Sequence, residues 1–153
     1  MTDDYAAIGN MLQEYIDEYH EFLSWLGVTV ETVEEGRLSM AVPYDEKLTN
    51  VRKDGDVDRP EINGGVASAL VDNVGGTVFR TVFDDPTANG VATINLNVNY
   101  LRPATGDLEA TAEIVRAGST VGVSDIVVES ETPDGERTEV ATGQGAYRIF
   151  RDE

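Results

Sequence analysis

The chain predicts an α+β fold in which an antiparallel sheet wraps around a long central helix, with a further helix at the N-terminus. Three patterns lead there. Residues 64–82 form an apolar stretch too long for an ordinary strand, and over 64–79 its only ionisable side chain is Asp72, so it reads as a buried helix. From residue 92 onward the chain alternates with period two through four segments parted by turn residues, as antiparallel strands with one buried face do. Near the N-terminus, apolar residues recur instead at three- and four-residue steps. One nearly uncharged helix followed by a run of strands is satisfied by laying the helix against the sheet. The 153 residues contain no linker-like composition break, so 1–153 is read as a single domain.

Taken in order, Ile8, Met11, Leu12, Tyr15, Ile16, Tyr19, Phe22, Leu23 and Leu26 carry the helical periodicity, and Gly27 supplies a stop, which places an N-terminal helix within 1–27. A hairpin of two strands is expected over 28–33 and 37–42, turning at Glu34-Glu35-Gly36 and ended by Pro43. Residues 44–62 are polar and turn-rich and read as a loop, with a turn at Lys53-Asp54-Gly55-Asp56. The central helix spans 64–82, with Asn63 suited to its N-cap and Asp84-Asp85-Pro86 closing it. Four strands follow at 92–100, 108–116, 121–131 and 138–150, read as a meander, with Pro133-Asp134-Gly135 as a hairpin turn. In the first of them Ala92, Ile94, Leu96, Val98 and Tyr100 share one face, and Thr93, Asn95, Asn97 and Asn99 the other.

Composition excludes several function classes. Twenty-nine acidic residues against 11 basic ones give a formal charge of −18, which would repel a phosphate backbone, so no nucleic-acid partner is expected. Only Lys47 and Lys53 are lysines, and an acidic, lysine-poor surface resembles that of halophilic proteins from salt-loaded cytoplasms, where ionic strength screens self-repulsion. There is no cysteine and His20 is the only histidine, so thiolate chemistry is excluded and no metal site is expected. The chain begins Met-Thr-Asp-Asp without a basic or apolar leader, and no stretch approaches a membrane span, so a cytoplasmic location without membrane association is expected.

The chemistry is expected at Asp72. A lone carboxylate in an apolar helix needs a partner or a purpose. On a helix starting at Gly64, positions 65, 68, 69, 72, 75 and 76 share a face and are Gly, Ser, Ala, Asp, Gly and Gly, so small residues surround one carboxylate. Two readings stay open: a ligand approaches that face, or Asp72 pairs with a buried arginine. At the other end, the first-turn N–H groups at Gly64-Gly65 have no intrahelical acceptor, which suits them to an oxyanion. Asp72 lies about 12 Å further along the axis at roughly 1.5 Å per residue, so the two ends combine more naturally across a symmetric dimer than within one chain.

Asn63-Gly64-Gly65-(x)6-Asp72, the segment Thr93-Ile94-Asn95-Leu96-Asn97-Val98-Asn99-Tyr100-Leu101-Arg102-Pro103-Ala104, then Asp107-Leu108-Glu109-Ala110-Thr111-Ala112 and Gly143-Gln144-Gly145-Ala146-Tyr147-Arg148 resemble the hotdog-fold thioesterases of the phenylacetyl-CoA (PaaI-like) type. The resemblance runs from about Trp25 to Phe150. It implies a homodimer or homotetramer that hydrolyses an aryl- or fatty-acyl-CoA at sites shared between subunits, with no cofactor beyond the CoA of the substrate. By that resemblance Asp72 is the general base or nucleophile, the Gly64 amide polarises the carbonyl, Thr93 helps to place the water or the carboxylate, and Asn63, Asn50 and Gly65 belong to the site. Arg102 and Arg116 are the candidates for the CoA phosphates, weighed against surface ion pairing. The family pattern has His-Gly-Gly where this chain has Asn63-Gly64-Gly65. Asparagine keeps a donor and an acceptor but cannot titrate, so a non-catalytic acyl-CoA binding protein on the same fold is the alternative. A CoA-linked hydratase is disfavoured, because such sites pair an acid with a histidine and His20 lies in the wrong segment.

Overall fold

The computed structural model describes residues 2–50 and 58–151, and the turn expected at Lys53-Asp54-Gly55-Asp56 lies outside the described residues. The N-terminal helical region is two helices, α1 (Thr2–Tyr19) and α2 (Glu21–Leu26), rather than one. His20 makes the break: its backbone leaves the helical region and its Nδ1 accepts the Leu23 N–H at 3.2 Å, so the imidazole caps α2 instead of continuing α1. Gly27 then takes a left-handed φ of 81° and donates to Ser24, while Val28 donates to Leu23, closing α2. Leu12, Ile16, Leu23 and Leu26 of this pair are buried, whereas Tyr15, Tyr19, Phe22 and Trp25 stay half exposed or more, so the expected stripe divides into two faces.

The hairpin forms as β1 (Thr29–Glu34) and β2 (Arg37–Val42), and α3 (Gly64–Thr77) runs on into a 3₁₀ turn over Val78–Thr81. The remaining strands are β3 (Gly90–Tyr100), β4 (Leu108–Ala117), β5 (Val121–Glu131) and β6 (Arg137–Phe150). All pairings are antiparallel in the order β1-β2-β4-β5-β6-β3, so the last four strands are not a simple meander. β3 closes the far edge on β6, and β4 pairs with β2 in the interior. Period-two alternation tells which face a strand buries and is silent on its neighbour. The crossing between β3 and β4 is fixed by Leu101, whose N–H bonds Val140, and by Ala104, whose carbonyl accepts from Ile62 just before α3.

The sheet curves around α3, whose Leu70, Val71 and Val74 share one buried cluster with Met40, Ile126 and Tyr147, the wrapped arrangement expected from the residues and the hotdog fold that the resemblance implies. Gly75 is not on the small, accessible face of α3 but on its buried side, where a Cβ would collide with the Tyr147 hydroxyl. β3 departs from strict alternation at Ile94: Thr93 pairs with Tyr147 and Asn95 with the next residue, Ala146, leaving Ile94 as a bulge. Val91 and Thr93 therefore face α3 together with Leu96, Val98 and Tyr100, and Ile94 turns outward at 57% exposure. No helix among the described residues is long and apolar enough to cross a membrane.

Candidate active site

Asp72 lies in the middle of α3, half buried, with Oδ1 accepting a 2.6 Å hydrogen bond from the Thr93 hydroxyl. No arginine or lysine among the described residues comes within ion-pair distance, so the buried Asp–Arg pair finds no cation to form it. The backbone beneath it is anchored from the sheet. Tyr147 donates its hydroxyl to the Asp72 carbonyl at 3.1 Å, and Ser124 donates to the Gly75 carbonyl at 2.9 Å. A helix carbonyl has a second lone pair for such bonds. Burial, and then the negative charge of Asp72, push the Tyr147 phenol far above its ordinary value, so it stays a donor.

Asp72 and Thr93 line a cavity of about 460 Å³ between α3 and the N-terminal helices. Its α3 wall carries Asp72, Asn73, Gly76, Thr77 and Arg80, while Leu12, Tyr15, Ile16 and His20 face them from α1 and the start of α2. The accessible small-residue face of α3 thus runs through Ser68, Ala69, Asp72 and Gly76, all half buried, with Gly65 exposed at its start.

The N-terminus of α3 is a separate site. Asn63 is its N-cap, with Oδ1 accepting the Gly65 N–H at 2.8 Å and Nδ2 donating to Asn50 Oδ1 at 2.9 Å. Asn50 reaches it because residues 48–50 and 61–63 run antiparallel: Asn50 donates to Glu61, Asn63 donates to Leu48, and Thr49 bridges Ile62. The Gly65 amide is therefore occupied, while no acceptor among the described residues takes the Gly64 N–H. The Tyr100 hydroxyl donates to the Gly64 carbonyl at 2.9 Å and also bonds Ser68, and its ring lies 3.1 Å from where a Cβ at residue 64 would stand. Asn50, Asn63, Gly64, Tyr100 and Arg102 line a second cavity of about 330 Å³.

The expected residues are thus brought together in two groups, Asp72 with Thr93 and Gly64 with Asn63 and Asn50. The cavities that hold these two groups are separate. Arg102 borders the second and donates to the Glu139 carbonyl at 2.7 Å, without an ion pair among the described residues. Arg116 lines neither, because it sits eight residues along β4 from Leu108 of the second cavity, about 27 Å at roughly 3.4 Å per residue. Surface ion pairing falls instead to Arg37 with Glu113 and Arg137 with Glu109.

Sequence reading missed Tyr100, Tyr147 and Arg80 as parts of these sites. Signals existed for each. Tyr147 follows Gly143 and Gly145, and a Cβ at Gly145 would strike its ring. Tyr100 ends the apolar alternation of β3, and Arg80 is the one basic residue in the 64–82 stretch.

Comparison with known proteins agrees with this architecture. The family model described as the thioesterase superfamily matches residues 61–136. A protein of Halobacterium salinarum, provisionally named an esterase, is 49% identical over 99% of this chain and 97% of its own length. Another of that provisional name from Saccharolobus solfataricus is 31% identical over 99% of this chain and 96% of its own. Among solved structures, a thioesterase family protein of Silicibacter pomeroyi superposes with a TM-score of 0.77 at 23% identity, covering 97% of this chain and 99% of that one. A thioesterase of Haemophilus influenzae gives 0.74 at 18% identity over 94% and 90%. At those identities the two structures attest the fold alone, and it is the sequence matches that carry kinship: the chain belongs to the thioesterase superfamily, a family of hydrolases.

Proposed function

We propose that the chain is a PaaI-like acyl-CoA thioesterase that hydrolyses an aryl- or fatty-acyl-CoA in the cytoplasm. It works as a homodimer or homotetramer, with no metal and no cofactor beyond the CoA of the substrate. One observation carries the reading: a half-buried carboxylate, Asp72, is held by Thr93 in a cavity lining, with no cation among the described residues within ion-pair distance. The Gly64 N–H, at the positive end of α3 and without an acceptor among the described residues, supports the complementary role, stabilising charge on the carbonyl oxygen.

Because Gly64 and Asp72 lie about 12 Å apart along one helix, the thioester sits on the Gly64 amide of one copy and meets Asp72 of a second. With Oδ1 held by Thr93, Oδ2 of Asp72 takes a proton from water as the water oxygen bonds the carbonyl carbon. The carbonyl π electrons move onto the oxygen, and the Gly64 N–H donates a hydrogen bond to the oxyanion so formed. As the carbonyl reforms, the C–S bond breaks, the CoA sulfur leaves as thiolate, and the proton on Asp72 passes to it or to solvent. An attack by Asp72 itself, through an anhydride that water then opens, uses the same atoms. Arg102, which lines the Gly64 cavity, is the candidate partner for a CoA phosphate.

The test is free-thiol release from a panel of aryl- and fatty-acyl-CoA substrates at high salt. Turnover that survives unchanged in Asp72→Asn removes Asp72 from the chemistry.

A second reading, a non-catalytic acyl-CoA binding protein, is favoured by Asn63. Both ends of its amide are engaged within the chain, one on Gly65 and one on Asn50. Tight calorimetric binding without turnover supports this reading, and turnover appearing in Asn63→His identifies the residue that decides between the two.

A further inference from the structure

The proposed reading leaves the acyl group undefined, and the end of the Asp72 cavity opposite that carboxylate has a chemistry of its own. Asp72, Asn73, Gly76, Thr77 and Arg80 succeed one another at helical spacing along one wall, so Arg80 lies about 12 Å beyond Asp72 along the axis. Arg80 is half buried and its pKa is lowered by that burial. One guanidinium nitrogen, Nη1, donates to the carbonyls of Pro86 at 2.9 Å and Ala88 at 3.1 Å, which fixes the plane of the group. Its Nε and Nη2 hydrogens make no bond to the described residues, and no carboxylate among them pairs with it. Arg59, Arg102, Arg116, Arg148 and Arg151 also lack an ion pair among the described residues, but all of them are exposed, whereas Arg80 is half buried in a cavity lining.

The surroundings extend the pattern. Tyr15 lies opposite, close enough to influence Arg80 electrostatically, and its ring packs edge-on against His20 at 6.1 Å. His20 accepts the Leu23 N–H on Nδ1, so its own proton is on Nε2, another donor in the cavity lining. Asp72 is the only acid of that lining, and it sits at the far end.

We propose that Arg80, with Tyr15 and His20, binds a carboxylate at the distal end of the acyl group, so that the preferred substrates are thioesters of dicarboxylic acids. The proposal rests on the acyl-thioester reading of the same cavity. A planar guanidinium with a free edge matches a carboxylate in two parallel hydrogen bonds. An alkyl terminus in its place would leave those donors desolvated and unmet, which is how a polar pocket rejects an apolar analogue.

The experiment compares adipoyl-CoA with hexanoyl-CoA and suberoyl-CoA with octanoyl-CoA, reading kcat/KM by thiol release. The wild type is expected to favour each diacid derivative by about tenfold or more, a difference of about 1.4 kcal/mol. Arg80→Met is expected to bring the ratio toward one through KM, and Arg80→Lys, which keeps the charge but not the fork, to retain part of it. A wild-type ratio of one or below overturns the proposal, whatever the variants do. Should no thioester be cleaved, calorimetric titration with the same four ligands separates the two ideas. Tighter binding of the diacid derivatives then upholds the Arg80 site while the hydrolase reading falls, and equal binding overturns the Arg80 site as well.

Discussion

Thr93 and Asp72 meet at 2.6 Å because Ile94 bulges out of β3. Without that extra residue, Thr93 would lie on the face opposite Tyr100 and could not reach α3. The bulge turns an alternating edge strand into one that aims a hydroxyl at a carboxylate while keeping Leu96, Val98 and Tyr100 on the helix side.

Thr93→Val keeps the shape and removes the donor. Loss of a hydrogen bond to a charged group is worth about 1.5–3 kcal/mol, so kcat is expected to fall about ten- to a hundredfold. Thiol release measures it beside a melting curve: a parallel collapse in Tm would show a structural role, and an unchanged kcat would show that Asp72 needs no such aiming.

Tyr147 makes a prediction about alkaline pH. Its phenol is raised in the folded state, so the folded chain holds this proton more tightly than the unfolded one. The resulting stability is fully present below the unfolded phenol value of about 10 and is lost as pH rises above it. Melting temperatures taken from neutral pH upward should therefore decline beyond about pH 10, and Tyr147→Phe should flatten that decline while lowering stability near neutrality by about 1 kcal/mol.

Gly75 is expected to tolerate no side chain. A Cβ there would meet the Tyr147 hydroxyl, Ile126 and Ser124 at once, so Gly75→Ala should destabilise by about 1–3 kcal/mol. The double variant with Tyr147→Phe should recover part of the loss, and strictly additive effects in chemical denaturation would contradict the shared contact.

Asn63 holds the start of α3 through Gly65, so Asn63→Ala should lower stability by about 1 kcal/mol even if the chain proves to have no turnover. Asn50→Ala, which removes only the outer bond to Asn63, should lower it less. Denaturant midpoints for the two variants decide the order.

Salt should stabilise the fold. The net charge of −18 repels itself over roughly 10 Å at 0.1 M ionic strength and over only about 3 Å at 1 M. Tm followed by circular dichroism is expected to climb as potassium chloride rises toward molar levels, and a flat or falling curve would remove the halophile-like reading of the surface.

Much of this was legible in the residues. The 64–82 helix, the hairpin, the four later strands and the exceptional position of Asp72 follow from local pattern, since backbone period and side-chain polarity reveal helix, strand and face before any long-range contact forms. The strand at 92–100 was read in nearly its true place yet with Thr93 on the wrong face, because a bulge is a property of a pair of strands rather than of one. His20 read as part of a continuous helix, because a histidine that caps the next helix has the same spacing as one that continues the first.

The sequence by itself determined that this is an acidic, cysteine-free α+β chain with one carboxylate in a nearly uncharged helix and a glycine pair at that helix's entry. Only the tertiary structure decided that β4 lies beside β2 while β3 takes the edge, that Asn50 reaches Asn63, that Gly64 and Asp72 open into different cavities, and that Arg80 stands at the end of one of them without a carboxylate. The reason is physical. Periodicity is written into each segment separately, whereas register, strand order and cavity walls emerge when distant segments compete to bury the same apolar faces.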